Sequence, residues 1–454
     1  MNFSLNSYLD SKTSIAPLVV FRISFGLLIF FSIIRFWLKG WIETIYLNPS
    51  FHFSYDGFFW VKPIGELTYL IFVLCLISSL FVTIGYKYKI ASVVLFLSYT
   101  YIELMDKTTY LNHYYLVSII SFMIIFLPLS NSFSIDSKKN EEIDLIPRWN
   151  IDFLKFMICI VYFYAGLAKI NSDWLLEAQP LKIWLMGSYN IPLIGESLLQ
   201  KNWVHYFMSW GGMLYDVMIP FLLLISKTRY LAFVLVIIFH ALTKILFPAI
   251  GMFPYIMIIS CLIFFNSNFH NKVIRMIINA FNMIKIKVDR RIKNTIHLKK
   301  NSFSYYFLSV FLIIQMILPM RYKFFSGELF WNERGYRFSW RVMLVEKKGY
   351  TSLKVVDKSN NNDFYINNED YLTEFQEKQM SFQPDFIYEY ANYIGEIFSK
   401  KFGSDVEIHV DSFVTLNGRR SERLIKENVN IYNIEKSEFY KKCLIPYRYD
   451  IKKI

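Results

Sequence analysis

Four cysteines in 454 residues leave little material for covalent scaffolding. Cys75, Cys159 and Cys261 sit inside apolar runs and Cys443 near the end of the chain, so neither a disulfide framework nor a metal-ligand spacing follows from them. Charge is scarce as well. Asp, Glu, Lys and Arg make up 19% of the residues against 54% hydrophobic, the aromatics alone reaching 19%. With a mean hydropathy of +0.32, that balance excludes an ordinary soluble globular protein. Internal repeats are not evident. A charged n-region, short apolar core and small-residue cleavage site are also missing from the start, so the first apolar segment is expected to be retained as a span.

What is present instead is a series of long apolar runs. Nine segments are long enough to cross a bilayer, near 16–36, 66–84, 89–105, 113–130, 152–168, 206–225, 229–246, 251–267 and 303–320. The fold class expected is a polytopic α-helical membrane protein. Loop charge sets its orientation. The loop 268–302 carries Lys272, Arg275, Lys285, Lys287, Arg290, Arg291, Lys293, Lys299 and Lys300 against Asp289 alone, which puts it inside. Counting back, Lys87, Lys138, Lys139, Arg148 and the turn Lys227 to Arg229 also fall inside, while the outer loops hold only scattered lysines: Lys39, Lys62, Lys107, Lys182 and Lys201. The N-terminus is therefore expected inside and the C-terminus outside. This topology, with lipid headgroups as partners of the 268–302 loop, accounts for most of the net charge of +13 and leaves no need for nucleic acid.

Past residue 320 the pattern changes to short alternating segments such as Tyr350 to Val356, a turn-rich SNNND stretch, a helical run near 386–401 and an NGRR turn. Two domains are expected: residues 1–320 in the membrane and a mixed α+β domain, 321–454, outside it.

The apolar run in VYFYAGLAKINSDW ends on Lys169, where a membrane helix meets its surroundings among Tyr162, Tyr164 and Trp174. A lysine there either snorkels to the interface or, desolvated, gives up its proton more readily than in water and serves as a base. Glu103, Asp106, Lys107, Asn112 and His113 from the loop YIELMDKTTYLNHYY, with His240 and Thr243, are expected on the same side in one pocket. Asp216, in WGGMLYDVMIP, needs a partner or a proton, because a bare buried carboxylate costs several kcal/mol.

The strings FRISFGLLIFFSIIRFWLKGW, DKTTYLNHYYL, VYFYAGLAKINSDWL, FHALTKILFPAIGMFPY and NERGYRFSWRVML occur in that order over most of the chain. Together they resemble the vitamin K-dependent gamma-glutamyl carboxylase family in its bacterial form, with an HTTM-type membrane domain. The resemblance implies a lyase in the bacterial cytoplasmic membrane, its site on the non-cytosolic face. Such an enzyme couples epoxidation of vitamin K hydroquinone by oxygen to addition of carbon dioxide to peptide glutamate. It further implies a glutamate-containing peptide or protein as substrate and a quinone reductase system that regenerates the hydroquinone.

On the same resemblance Lys169 is the base that takes the hydroquinone proton, Asn112 and His113 stabilise the resulting anion, His240 lies near the cofactor, and Met252 and Phe253 belong to the cofactor site. Arg337 and Arg341 are expected to hold a carboxylate or carbon dioxide, with Trp331, Tyr336 and Trp340 as pocket walls. If 337–341 is a strand, the two arginines share a face. The likeness to the animal enzymes does not extend to their long C-terminal extension or to a cysteine pair in outer loops, nor then to a clotting-factor type of propeptide recognition. A quinol epoxidase or oxidase without carboxylation keeps the same lysine and histidines, and a non-catalytic accessory protein for a secreted peptide keeps the same architecture.

Overall fold

The structure is a computed structural model that describes residues 5–139, 142–187, 195–284, 302–449 and 451–452. Each of the nine apolar runs forms a helix: α1 (Ala16–Leu38), α2 (Thr68–Ile84), α3 (Tyr88–Leu104), α4 (Asn112–Ile125), α5 (Trp149–Ala168), α6 (Asn202–Leu224), α7 (Arg229–Leu246), α8 (Phe253–Cys261) and, after the amphipathic α9 (Ser267–Met283), α10 (Ser302–Ile317). Among the described residues six are long and apolar enough to cross a membrane: α1, α2 with its leading turn, α5, α6, α7 and α10 continued to Phe324. With 17 and 14 residues, α3 and α4 fall short of that length. The eighth run, continued to Phe264, meets α9 at a bend of 117°. On α9, His270 and Ile274 are buried against the bundle while Lys272 and Arg275 are exposed. The other basic residues expected there, from Lys285 to Lys300, lie outside the described residues.

Backbone contacts sort the loops into two ends. At one end, β1 (Lys12–Ser14) pairs with β2 (Leu145–Pro147), Lys87 N–H donates to Asp136, and the buried guanidinium of Arg22 donates to the carbonyls of Leu129, Ser132 and Phe133. At the other end the C-terminal domain is docked. Its antiparallel sheet runs β4-β3-β5-β6, from β3 (Lys347–Asp357), β4 (Asp363–Tyr365), β5 (Val406–Leu416) and β6 (Glu422–Arg423). In β5, alternate residues from Val406 to Leu416 are buried, the period-two pattern of a strand with one covered face. The cover is α12 (Pro384–Phe402), preceded by α11 (Glu374–Met380).

The domain is held by charge as much as by packing. Lys107 is buried, donates to Glu389 and lies 3.1 Å from Asp385, and Asp106 accepts from Gln376 at 2.9 Å. Arg419 forks onto Asp173 at 2.7 and 2.6 Å while Asn417 donates to the same carboxylate. Burial alone would strip Lys107 of its proton, but Asp385 and Glu389 outweigh it and hold the ammonium above its ordinary range. Burial likewise opposes ionisation of Asp385, yet Arg337 and Lys107 prevail and keep its carboxyl well below the usual value. Such a depressed carboxyl contributes stability that is present above its unfolded value, about 3.9, and is lost only as pH falls through the lower folded value. The contribution of Asp385 to docking is thus expected to survive at pH 5, whereas burial holds Glu389 above the usual carboxylate range and pushes Asp106 up to about 6. Lys107→Met should instead take from buried Glu389 its direct partner, while Asp385 keeps Arg337, and cost about 3–5 kcal/mol, read as a lower unfolding midpoint in detergent. An unchanged midpoint would show that the cluster contributes nothing.

Candidate active site

The site is made where α5 meets α6. Gly166 lies one turn before Lys169, and a Cβ there would sit 2.6 Å from Val217 Cγ2 and 2.8 Å from its backbone nitrogen. Only glycine lets the two helices approach so closely. That contact brings Lys169, at the C-terminus of α5, against Asp216 in the middle of α6. The Lys169 ammonium Nζ donates to Asp216 Oδ2 at 2.7 Å and to the Ala165 carbonyl at 3.3 Å, with the Trp174 ring centroid 5.3 Å away. Both side chains are buried. As a pair they carry no net charge and tolerate an apolar wall that neither would tolerate alone.

The pair faces a cavity of about 210 Å³. Tyr162, Trp174, Phe239, Thr243, Phe253 and Met257 are among its walls, and Leu181, Phe247 and, from the C-terminal part of the chain, Val342 and Met343 line it too. Trp174 is set by the Asn171 cap, whose side chain accepts from the Trp174 N–H, and by its indole N–H donated to Ser209 O at 2.7 Å. Tyr164, expected beside Lys169, lines a different groove on the bundle flank.

His240 stands one layer behind the wall. Its Nε2 is 2.9 Å from the Tyr162 hydroxyl, its Nδ1 is buried without a partner, and its ring meets Phe253 edge-on at 5.4 Å. The other side of the same phenylalanine meets His113, ring centroids 6.0 Å apart; His113 is buried too, with an unpartnered Nε2. Phe253 therefore touches both histidines and the cavity. Met252, beside it, is packed against the core and does not line the cavity.

The single pocket expected from the loop residues is divided in two. Asn112 does not reach the cavity: its amide donates to the Arg341 carbonyl at 2.9 Å and its oxygen accepts from Tyr110. It thereby ties down the backbone next to Val342 and Met343. Asp106 and Lys107 belong to the domain interface described above. Glu103 accepts from Ser118 at 2.5 Å within the bundle.

The segment 333–343 is not a strand. Glu333, Phe338, Trp340 and Met343 all have positive φ, between 52° and 59°, each costing about 1–2 kcal/mol for a residue with a Cβ. The chain winds through successive turns, so the two arginines do not share a face. Arg337 is spent on Asp385 at 2.7 Å and on Gln383, above the Phe386 ring. Arg341 is buried against the Tyr322 ring at 4.5 Å, its Nε without a hydrogen-bond partner, on a separate cavity of about 310 Å³ that includes Ala168, Ile170 and Asn171. Burial lowers its hold on its proton.

Trp331 and Trp340 are core residues and not pocket walls. Trp331 stacks on Tyr447 and donates to Ile445 O; Trp340 stacks on Tyr115 at 5.0 Å. Tyr336 lines a polar interdomain cavity of about 350 Å³ with Lys107 and Arg337. Sequence reasoning missed Val342 and Met343 as the roof, although they stand in the same WRVML string.

The chain matches the HTTM domain over residues 11–269 and the lumenal domain of vitamin K-dependent gamma-carboxylase over residues 300–448. No solved structure matches it.

Proposed function

The chain belongs to the vitamin K-dependent gamma-glutamyl carboxylase family, and from that premise we propose that it carboxylates peptide glutamate at the expense of vitamin K hydroquinone. The observation that carries this reading is the Lys169–Asp216 pair facing an apolar cavity, 2.7 Å apart, with residues of the C-terminal domain as its roof. The cavity fits a reduced naphthoquinone: flat aromatic and aliphatic walls for the rings, one polar pair for a hydroxyl, and unpartnered nitrogens on His113 and His240 in the layer behind. When bound with oxygen, that cofactor would supply the base strong enough to remove a glutamate γ-proton, which no side chain can do.

The chain's own residues act as follows. Moving the ammonium proton from Lys169 Nζ to Asp216 Oδ2 turns the ion pair into a neutral amine and a carboxylic acid without changing net charge. The amine then accepts the proton of a hydroxyl in the cavity, and the ammonium formed offsets the charge left behind. Asp216 positions Nζ, Tyr162 orients His240, and Val342 and Met343 exclude water, which strengthens each of these interactions. Arg341, whose guanidinium forms no ion pair with a carboxylate among the described residues, is the better candidate to hold the glutamate carboxylate. Arg337 already has Asp385.

Membranes containing the protein, given reduced naphthoquinone, oxygen and labelled bicarbonate, should form epoxide and, with a glutamyl peptide present, acid-labile carboxylate label. Epoxide without label would leave a quinol epoxidase; neither product would leave the accessory-protein reading. Arg341→Ala should raise the peptide KM at least about tenfold with epoxide formation little changed. Equal loss of both activities would remove Arg341 from the substrate site.

Orientation belongs to the same proposal: the C-terminal domain and the site lie on the non-cytosolic side of a bacterial inner membrane. In a background without the native cysteines, a cysteine at exposed Glu427 should react with an impermeant thiol reagent in intact cells, and one at exposed Lys227 should not. The reverse pattern would invert the site.

A further inference from the structure

The flank groove that Tyr164 lines is built mainly from α5, α6 and α10, all three long and apolar enough to span a membrane. It holds about 780 Å³ and shares no lining residue with the cavity beside Lys169. Phe156, Phe163, Phe221, Ile313 and Met316 on its walls are exposed, a contiguous apolar surface of the kind that lipid covers.

Its charge is all at one end. Among the lining residues only Arg148, Asp152 and Lys155 are charged; Arg148 is the N-cap of α5 and the other two stand in its first two turns. Asp152 Oδ2 accepts from Arg148 Nε at 3.2 Å and from the Tyr8 hydroxyl at 3.0 Å. Lys155 Nζ stops 3.8 Å from Asp152 Oδ1, beyond hydrogen-bond reach. Arg229 stands at the rim, where it donates to the carbonyls of Leu223 and Leu224 at 2.9 Å, and Leu224 lines the groove. Three cations therefore meet one carboxylate. Lys155, inside an apolar span with its side chain only 18% exposed, is costly there unless an anion joins it.

The rest of the groove is a slot for hydrocarbon. From Asp152 to Tyr164, α5 rises about 18 Å, a little more than half of the roughly 30 Å hydrocarbon core. At the far end the Tyr164 hydroxyl donates to the Met316 carbonyl at 2.5 Å and ties α5 to α10. A slot of that length, cationic at one mouth and apolar beyond it, matches an anionic head with a hydrocarbon tail lying in one leaflet.

We infer that this groove is a binding site for an anionic phospholipid, with its phosphate among Arg148, Lys155 and Arg229 and one acyl chain along α5 toward Tyr164. A neutral quinol or a zwitterionic lipid would leave the excess of cations unanswered. The site stands apart from the reaction proposed above.

The test is photolabelling of the full-length protein, in micelles of a neutral detergent, by a phosphatidylglycerol carrying a diazirine in one acyl chain, with the label placed by peptide mass spectrometry. Label is expected on residues 156–164 and 309–316. Unlabelled phosphatidylglycerol should displace it at a concentration at least about tenfold lower than phosphatidylcholine requires, a comparison that needs no variant. Lys155→Gln should raise the phosphatidylglycerol concentration needed about fivefold and leave that of phosphatidylcholine within about twofold, while Lys155→Arg should keep the preference. Label elsewhere or none at all, equal displacement by the two lipids, or an unchanged preference in Lys155→Gln would overturn the site. Displacement by a naphthoquinone but not by phosphatidylglycerol would overturn it too, and give the groove to a quinol.

Discussion

Lys169→Ala is expected to abolish epoxide formation and carboxylation together, by about 10²- to 10⁴-fold, the usual worth of a general base. Both products fall because removal of the hydroxyl proton precedes every later step. Two rescues separate a lost base from a damaged fold. A small amine such as methylamine, entering the space vacated beside Asp216, should restore part of the activity. Raising the pH should restore part as well, because deprotonation in solution then replaces the missing acceptor. Asn112→Ala should cost less, since Asn112 bonds the Arg341 carbonyl and acts on the cavity only through the backbone next to Val342 and Met343. His113→Ala should also cost less, since His113 stands behind Phe253. Near wild-type epoxide formation by Lys169→Ala at neutral pH would make Lys169 an interfacial anchor and move the accessory-protein reading to first place.

The membrane helices were legible because apolar runs of that length seldom occur outside a bilayer, and every run that reads as a span is helical here. Their lengths were less so. The DKTTYLNHYYL stretch reads as the lead-in to a span from 113 to 130, but the helix stops at Ile125, where Pro128 follows and the chain turns. Orientation of loops by charge needs only composition; in the structure the loops 85–88 and 131–147 lie together at one end of the bundle. Why α8 and α9 meet at 117° was not legible: the apolar run carries through to Phe265, and the Asn266 side chain, which caps α9 by accepting from Phe269 N–H at 3.0 Å, is a signal only once a break is suspected.

In the site, single residues were legible and partners were not. Lys169 and Asp216 each stand out as charges in apolar surroundings, but they are 47 residues apart, and no local pattern joins them. The nearest signal was Gly166, a small residue in an aromatic stretch, which marks a close helix crossing without naming the partner. The WNERGYRFSWRVML string misled more seriously. Its alternation of large and basic residues suits a strand, whereas the positive φ angles at Phe338, Trp340 and Met343 turn it through a path that periodicity cannot encode. Trp331 and Trp340 then pack as core, and the inconspicuous Val342 and Met343 reach the cavity.

The pair itself gives the second large effect. Asp216→Leu leaves a buried ammonium and Lys169→Met a buried carboxylate, each without compensation, and each should lower stability in detergent by about 3–5 kcal/mol. The double variant Lys169→Met/Asp216→Leu replaces the pair by side chains of similar volume that suit the apolar walls, so its stability should return to that of the unaltered protein or exceed it. Activity should not return. A pair kept only to join α5 to α6 would behave otherwise, because the repacked helices would then work as well as the originals. Asp216→Asn separates position from charge: the amide fills the same space and its carbonyl oxygen can still accept from Nζ, but it cannot take the lysine proton. Epoxide formation should fall by at least about tenfold with helix packing retained. Thermal unfolding in detergent and epoxide assays on the same four variants decide the matter. Retained activity in the double variant would show that the buried charges serve the fold alone; full activity in Asp216→Asn would leave Lys169 to act without its carboxylate.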